Sequence, residues 1–263
     1  SINEQLEAGC RYVASRYRVD SFLAYFQDYS TTYADPEKLN ELYSTALDFP
    51  GVVGLTLCTR PDCLNAQVLD LLAELSERTF LLVELGVQTS NDKILENMNR
   101  CHTSQDTLNA MEKLHSRNIL TTAQMIIGYP GSSDEDILAD AGFIRTTGTS
   151  GLKLQNLHVV KDTALERMYL NNEFSLITLD KYIDRVVTFL EYTEPWVVIQ
   201  RLTGEAHHNL TAAPKWSLNK QSVINSIHQA LEDRNSWQGK KLGYPRTALD
   251  APFPNVRTHW NLN

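Results

Sequence analysis

The chain has 263 residues, of which 42% are hydrophobic, and a formal charge of −8 from 24 Lys and Arg against 32 Asp and Glu. That length suits one large domain or one domain with an appendage, and the apolar share excludes wholesale disorder. The acidic balance argues against a protein that coats nucleic acid non-specifically. Ile2 to Arg18 reads as a helix, and its place ahead of the first visible strand suggests that another strand and loop precede it. SFLAYFQ (21–27) is the first strand-like run. Asp35-Pro36 is an N-cap with proline at the first helical position, followed by an apolar face of Leu39, Leu42, Tyr43 and Ala46. GVVGLTLC (51–58) is the next strand, and Leu69, Leu71, Leu72 and Leu75 mark the next helix. FLLVELGVQ (80–88) follows, then a helix opened by Ser104 with Leu108, Met111 and Leu114 inward. After ILTTAQMIIG (119–128), Ser132 and Glu135 fit a capping box ahead of Ile137, Leu138, Ala141 and Ile144. GLKLQNLHVV (151–160) is the fifth strand. Thr178 starts a helix with Tyr182, Ile183, Val186, Val187 and Leu190 on one face. WVVIQRL (196–202) is an additional strand, and Asn219 to Asp233 forms a helix with Val223, Ile227 and Leu231 inward. From Trp237 onward Gly, Pro and basic residues suggest an irregular tail.

Strands separated by helices at a beat of about thirty to forty residues mean βα units and a parallel sheet. Strand phase refines this. Leu81, Val83, Leu85 and Val87 share one face, while Glu84, Gly86 and Gln88 share the other with Leu82. Val53, Leu55 and Leu57 oppose Gly54, Thr56, Cys58 and Arg60. Gln124 and Gly128 fall on one face, Lys153 and Gln155 oppose Leu152 and Leu154, and Tyr25 and Gln27 share a face. A doubly wound sheet is apolar on both sides, so an open-sided barrel with a polar interior explains the pattern better. The expected fold class is α/β: an open partial (β/α)6 TIM-like barrel, its first βα unit missing, with a C-terminal helical extension. The expected division is 1–170 for the partial barrel, 171–233 for the helical extension packed on it, and 234–263 for an irregular basic tail.

Four cysteines, Cys10, Cys58, Cys63 and Cys101, are too few and too scattered for a disulfide scaffold, which suggests a reduced, cytoplasmic protein. No run is long enough to span a bilayer, and SINEQLEAGC has no signal-peptide character. The residues from Arg234 onward carry five bases and one acid, so the tail is +4 and the remainder −12. In parallel barrels ligands bind at the C-terminal ends of the strands. Those ends read Gln27 to Thr32, Cys58 to Asp62, Gly86 to Thr89, Gly128 to Gly131 and His158 to Thr163. They are rich in amides and hydroxyls and poor in histidine, which suits a ligand with ribose, carboxylate and amine groups. No nucleophile elbow is present, and GYPGSS lacks the spacing and lysine of a phosphate loop. His207-His208 has no metal-ligand spacing and reads as a surface pair. A conventional aldolase or isomerase finds no support, because no strand-end lysine or carboxylate pair stands out.

AYFQDYSTTYA, TRPDC, VELGVQTSNDKILENMNR, MIIGYPG, RLTGE and PKWSLNK, in that order, resemble the YhcC/YtqA-type radical S-adenosylmethionine family. That family is similar to the catalytic subunit of elongator and, more distantly, to oxygen-independent coproporphyrinogen oxidases. The resemblance runs from about Asn3 to Gly239. It implies a [4Fe-4S] cluster that reductively cleaves S-adenosylmethionine to a 5′-deoxyadenosyl radical, held by three cysteines after the first strand. No such triplet occurs here. Cys58 and Cys63 follow what would be the third strand and are one short, so the cluster belongs to a fuller protein and this chain alone should be inactive. A cluster-free barrel that binds a nucleoside ligand or a protein is the alternative.

By the same resemblance, Gln27, Ser30 and Thr31 take the place of the segment that meets the methionyl amine. Gln88 and Arg100 resemble positions that contact the ribose and the methionyl carboxylate, and Gln124 stands where related enzymes carry a ribose-contacting acid. Gly128 to Gly131, with Pro130, resembles the turn against the adenine. Arg60 either pairs with Asp62 or contacts ligand. Glu84, Lys153 and Gln155 are substrate-side candidates, with Arg60 or Lys153 as the expected partner of Glu84. Cys101 and Ser132 depart from the glycine and glutamate that the pattern leads one to expect. Partners implied are an electron donor of the flavodoxin or ferredoxin type and, from elongator kinship and the +4 tail, a tRNA base as substrate.

Overall fold

The structure, a computed structural model, describes residues 1–205 and 208–250. The chain runs α1 (Ile2–Tyr17), β1 (Phe22–Phe26), α2 (Pro36–Leu47), β2 (Val52–Thr59), α3 (Ala66–Arg78), β3 (Phe80–Gln88), α4 (Asp92–Asn97), α5 (Ser104–His115) and β4 (Leu120–Ile127). It continues through α6 (Asp134–Thr147), β5 (Gly151–Asn156), β6 (Val159–Val160), α7 (Ala164–Leu170), α8 (Leu179–Glu191), β7 (Val198–Arg201), β8 (Thr211–Ala213) and α9 (Lys220–Asp233). Six strands form one sheet in the order β1-β2-β3-β4-β5-β7, and β6 with β8 makes a small antiparallel ladder. This is the expected α/β class, a parallel sheet of the partial TIM-like barrel kind, with β1 at one edge. The described residues fall into two compact units.

The first unit comprises Ser1–Gly86 and Gln105–Thr122. Its strands pair in parallel, with Tyr25 opposite Thr56 and Cys58 opposite Glu84. Alternation sends Leu55, Leu57, Leu81, Val83 and Leu85 to a fully buried face, and Leu39, Tyr43, Leu69, Leu72 and Leu75 of α2 and α3 are as deeply buried. The Asp35 carboxylate caps α2 by accepting from Glu37 N, with Pro36 following, as its sequence predicts. Gly54 is dictated by packing, because a Cβ there would lie 2.5 Å from the carbonyl oxygen of Phe80 on the adjacent strand. By contrast α1 buries none of its residues. Between α1 and β1 lies a groove of about 520 Å³ lined by Leu6, Cys10, Val13, Phe22 and Tyr25.

The second unit comprises Val87–Ser104 and the described part of Ala123–Val256. In it β5 pairs with β7 in parallel, and α8 packs on α6 and α9 through Tyr182, Val186, Val187 and Phe189, all fully buried. The 171–233 segment therefore supplies a strand of the main sheet as well as helices. Two expectations need correction. The capping box of α6 is Ser133 with Asp136, one residue later than Ser132 with Glu135. Ser133 Oγ accepts from Asp136 N at 3.2 Å and Asp136 Oδ2 accepts from Ser133 N at 2.7 Å, while Ser132 is engaged by Arg185. The strand expected over 151–160 ends at Asn156, since Val159 and Val160 leave it to pair with Ala213 and Thr211. His207 and residues 251–263 of the expected tail lie outside the described residues; His208 is exposed. Among the described residues no helix is long and apolar enough to cross a membrane.

Candidate functional site

In the first unit the polar face of β1, β2 and β3 carries a cluster in which Cys58 and Glu84 are buried and Tyr25 is exposed. Tyr25 donates its hydroxyl to Glu84 Oε2 at 2.9 Å, and Cys58 Sγ lies 3.2 Å from that hydroxyl and 3.3 Å from Glu84 Oε2. Glu84 is 1% exposed. Burial, reinforced by Cys58 and Glu84, pushes the Tyr25 phenol above its ordinary value. Beyond the strand ends the hydroxyls are committed to the fold. Thr31 donates to the carbonyl of Cys58 at 2.9 Å, and Thr32 donates to that of Cys63 at 2.7 Å. Arg60 forms a two-pronged ion pair with Asp62, the structural alternative its sequence left open. Gln27 is exposed and Ser30 half-buried, and neither joins the Glu84 cluster.

The second unit presents the more telling arrangement, at the end of β3. Gln88 is 7% exposed, its Oε1 is buried with no hydrogen-bond partner among the described residues, and its φ is +73°. Buried polar atoms are nearly always paired, and left-handed backbone costs a side-chain-bearing residue, so both features mark a site held for something else. Around it run polar contacts. Asp140, 5% exposed, accepts from Thr89 Oγ1, Ser90 N and Ser90 Oγ at 3.0, 2.6 and 2.7 Å. Burial pushes its carboxyl up to about 6, against the pull of those hydrogen bonds. Tyr129, which packs on Ile94 and Leu157, has its phenol pushed up by burial, with Arg100 pulling the other way. Arg100 is thereby placed near Tyr129.

The strand-end turn after β4 is shaped by its glycines. Gly128 has a φ of +98°, and a Cβ there would lie 2.9 Å from Ile177 Cδ1, so only glycine fits without strain. Gly131 is also left-handed, and Arg185 holds the segment by donating to Ser132 Oγ and to the Ser132 carbonyl at 3.1 and 3.0 Å. Pro130 within that turn and Gln124 on β4 before it are half-buried. Lys153 is 9% exposed and faces Arg201 in the ladder, with Gln155 half-buried two residues on. Strand alternation had placed Tyr25, Cys58 and Glu84 on the polar face but not their mutual contact. Asp140 carried no sequence signal at all, being one of several acids in α6.

The profile of the Radical SAM superfamily matches residues 4–144, and that of the Radical_SAM C-terminal domain matches 149–233. YtqA of Bacillus subtilis is 34% identical over 225 residues, covering 86% of this chain and 70% of its own length. A tRNA-2-methylthio-N(6)-dimethylallyladenosine synthase of Cereibacter sphaeroides is 26% identical over 176 residues, 66% of this chain and 39% of that protein. The solved structure of Methanocaldococcus infernus Elp3 with an N-terminal deletion superposes with a TM-score of 0.74 at 19% identity, over 89% of this chain and 58% of that one. The superfamily profile covers more than half of the residues, and the similarity to YtqA extends over most of both proteins. On both grounds the chain belongs to the radical SAM superfamily.

Proposed function

We propose that this chain is the S-adenosylmethionine-binding part of a radical enzyme, with the adenosyl group held by the strand ends of the second unit. The observation that carries the reading is Gln88, whose buried Oε1 is left unpartnered in a strained backbone. An amide oxygen there suits a ribose hydroxyl as donor. Gly128 to Gly131, which includes Pro130, gives a backbone turn that can lie flat against adenine, with Gln124 on the strand before it. Arg100 offers charge-assisted donors for the methionyl carboxylate. Within the same unit, Lys153 and Gln155 are candidates for the substrate side.

The superfamily's chemistry draws on a [4Fe-4S] cluster, and the described residues do not fit one. No group of three or more His, Cys, Asp or Glu among them could hold a metal ion. Cys58 and Cys63 are buried, Cys10 lies on α1 and Cys101 is exposed. Cluster ligands would have to come from outside the described residues, and the chain alone should not cleave S-adenosylmethionine. A tRNA base is the substrate class favoured by similarity to the tRNA-modifying synthase and by the basic residues after Arg234. An electron donor of the flavodoxin or ferredoxin type completes the reading. The same scatter of thiols favours a second reading, a cluster-free nucleoside-binding barrel.

Calorimetric titration with S-adenosylhomocysteine tests what the two share: the chain should bind it, and Gln88→Ala should weaken binding. Anaerobic treatment with iron and sulfide separates them. Iron uptake by a protein containing this chain, with 5′-deoxyadenosine formed on adding dithionite and S-adenosylmethionine, supports the enzyme; no uptake supports the binding module.

A further inference from the structure

Gln88 is the central residue of a three-residue turn, for Thr89 N donates to the Val87 carbonyl at 3.0 Å across a φ of +73°. A γ-turn of this hand is rare and strained, and a residue with a side chain stays in it only where its surroundings over-determine it. Here the surroundings are two carboxylates one helical turn apart on α6, which lie on one face of that helix. Asp140 Oδ1 gathers the Thr89 hydroxyl, the Ser90 amide and the Ser90 hydroxyl. Asp136 Oδ1 accepts from Asn91 Nδ2 at 2.8 Å, and Asn91 in turn caps α4 by accepting from Lys93 N and Ile94 N. The first turn of α6 is itself fixed, since Arg185 donates to Asp134 Oδ1 at 2.9 Å. Three successive residues after Gln88 are thus tied to one rigid helix.

We propose that Asp140 is a positioning residue that holds Gln88 in its strained turn, keeps Oε1 free for the ligand, and so sets the affinity of the site. This rests on the reading of Gln88 as a nucleoside contact. Asp140 touches no ligand in this account. All three donors converge on its one Oδ1 oxygen, and without it the turn can relax to ordinary strand or helical backbone. A site whose competent conformation is only partly populated loses affinity by that fraction.

The experiment uses the whole chain and S-adenosylhomocysteine as probe, with the dissociation constant from calorimetry and amide exchange read at Thr89, Ser90 and Asn91. Asp140→Ala should weaken binding about tenfold and speed exchange at those amides, while Asp140→Asn, which keeps an oxygen acceptor, should stay within about threefold of wild type. If Asp140→Ala fails to fold, the paired Thr89→Val and Ser90→Ala substitutions remove the side-chain donors from the other side and should weaken binding in the same direction. A purely structural role would lower thermal stability without moving the dissociation constant. Binding lost in Gln88→Ala but kept in Asp140→Ala, or in the Thr89/Ser90 pair, overturns the proposal alone. No binding by wild type overturns the proposal together with the reading on which it rests.

Discussion

Replacing Gln88 by glycine should make the protein more stable and its ligand site worse. In the folded chain Gln88 bears two costs: a left-handed φ of +73° and a buried Oε1 without a partner. Left-handed backbone costs a residue with a Cβ about 1–2 kcal/mol. A buried unsatisfied acceptor costs about 1–3 kcal/mol. Glycine removes both. Against this, two buried methylenes contribute about 0.8 kcal/mol each, and glycine's extra freedom in the unfolded chain costs about 0.5–1 kcal/mol. The balance is a gain of about 1 kcal/mol, which is a rise of about 2–4 °C in Tm for a chain of this size. Ordinary core substitutions destabilise by about 0.5–3 kcal/mol, so the sign alone is diagnostic. Thermal and urea unfolding give the stability, and titration with S-adenosylhomocysteine gives the site. A loss of 1 kcal/mol or more in Gln88→Gly, or unchanged affinity, would refute the reasoning that Gln88 is held in a costly conformation for a ligand (the threshold being about the size of the expected gain).

Two further outcomes follow from the packing and the charges. Gly54→Ala would set a Cβ 2.5 Å from the Phe80 carbonyl oxygen and 2.8 Å from Phe80 Cβ, both on rigid β3, and should cost about 3 kcal/mol in urea unfolding; a cost well under 1 kcal/mol would mean that the two strands part easily. Asp140 is the main carboxylate to watch in a pH series. Its folded pKa is raised to about 6 from 3.8, so the folded state holds the proton more tightly than the unfolded one. The stability this contributes is fully present below about pH 4 and is lost as pH rises through about 6. Wild type should therefore lose on the order of 3 kcal/mol relative to Asp140→Asn between those limits and nothing more above them. Parallel pH profiles of the two proteins would contradict that assignment.

Much of the fold was legible because a strand buries alternate residues. Leu81, Val83, Leu85 and Val87 are at most 3% exposed, and the helix faces built on Leu69, Leu72 and Leu75 are as deeply buried. The end of β5 was not legible, because the apolar run continues through Leu157 into Val159, and only pairing with Ala213 shows that the chain has left the sheet. The α6 cap slipped by one residue because two serines and two acids offer the same spacing twice, and Arg185 decides between them. Gln88 was marked by its place at a strand end, but its positive φ was not, since glutamine carries no preference for such a turn. Asp140 was invisible for another reason. Its three donors lie about fifty residues away in sequence, and a helix with acids at Asp134, Glu135, Asp136 and Asp140 reads as a solvated face.

The most direct test is a crystal structure of the chain soaked or grown with S-adenosylhomocysteine. The account predicts the adenosyl group at the ends of β3 and β4, with a ribose hydroxyl donating to Gln88 Oε1 and adenine against the Gly128 to Gly131 turn. A ligand bound elsewhere, with Gln88 Oε1 taken up by a protein donor, would contradict it.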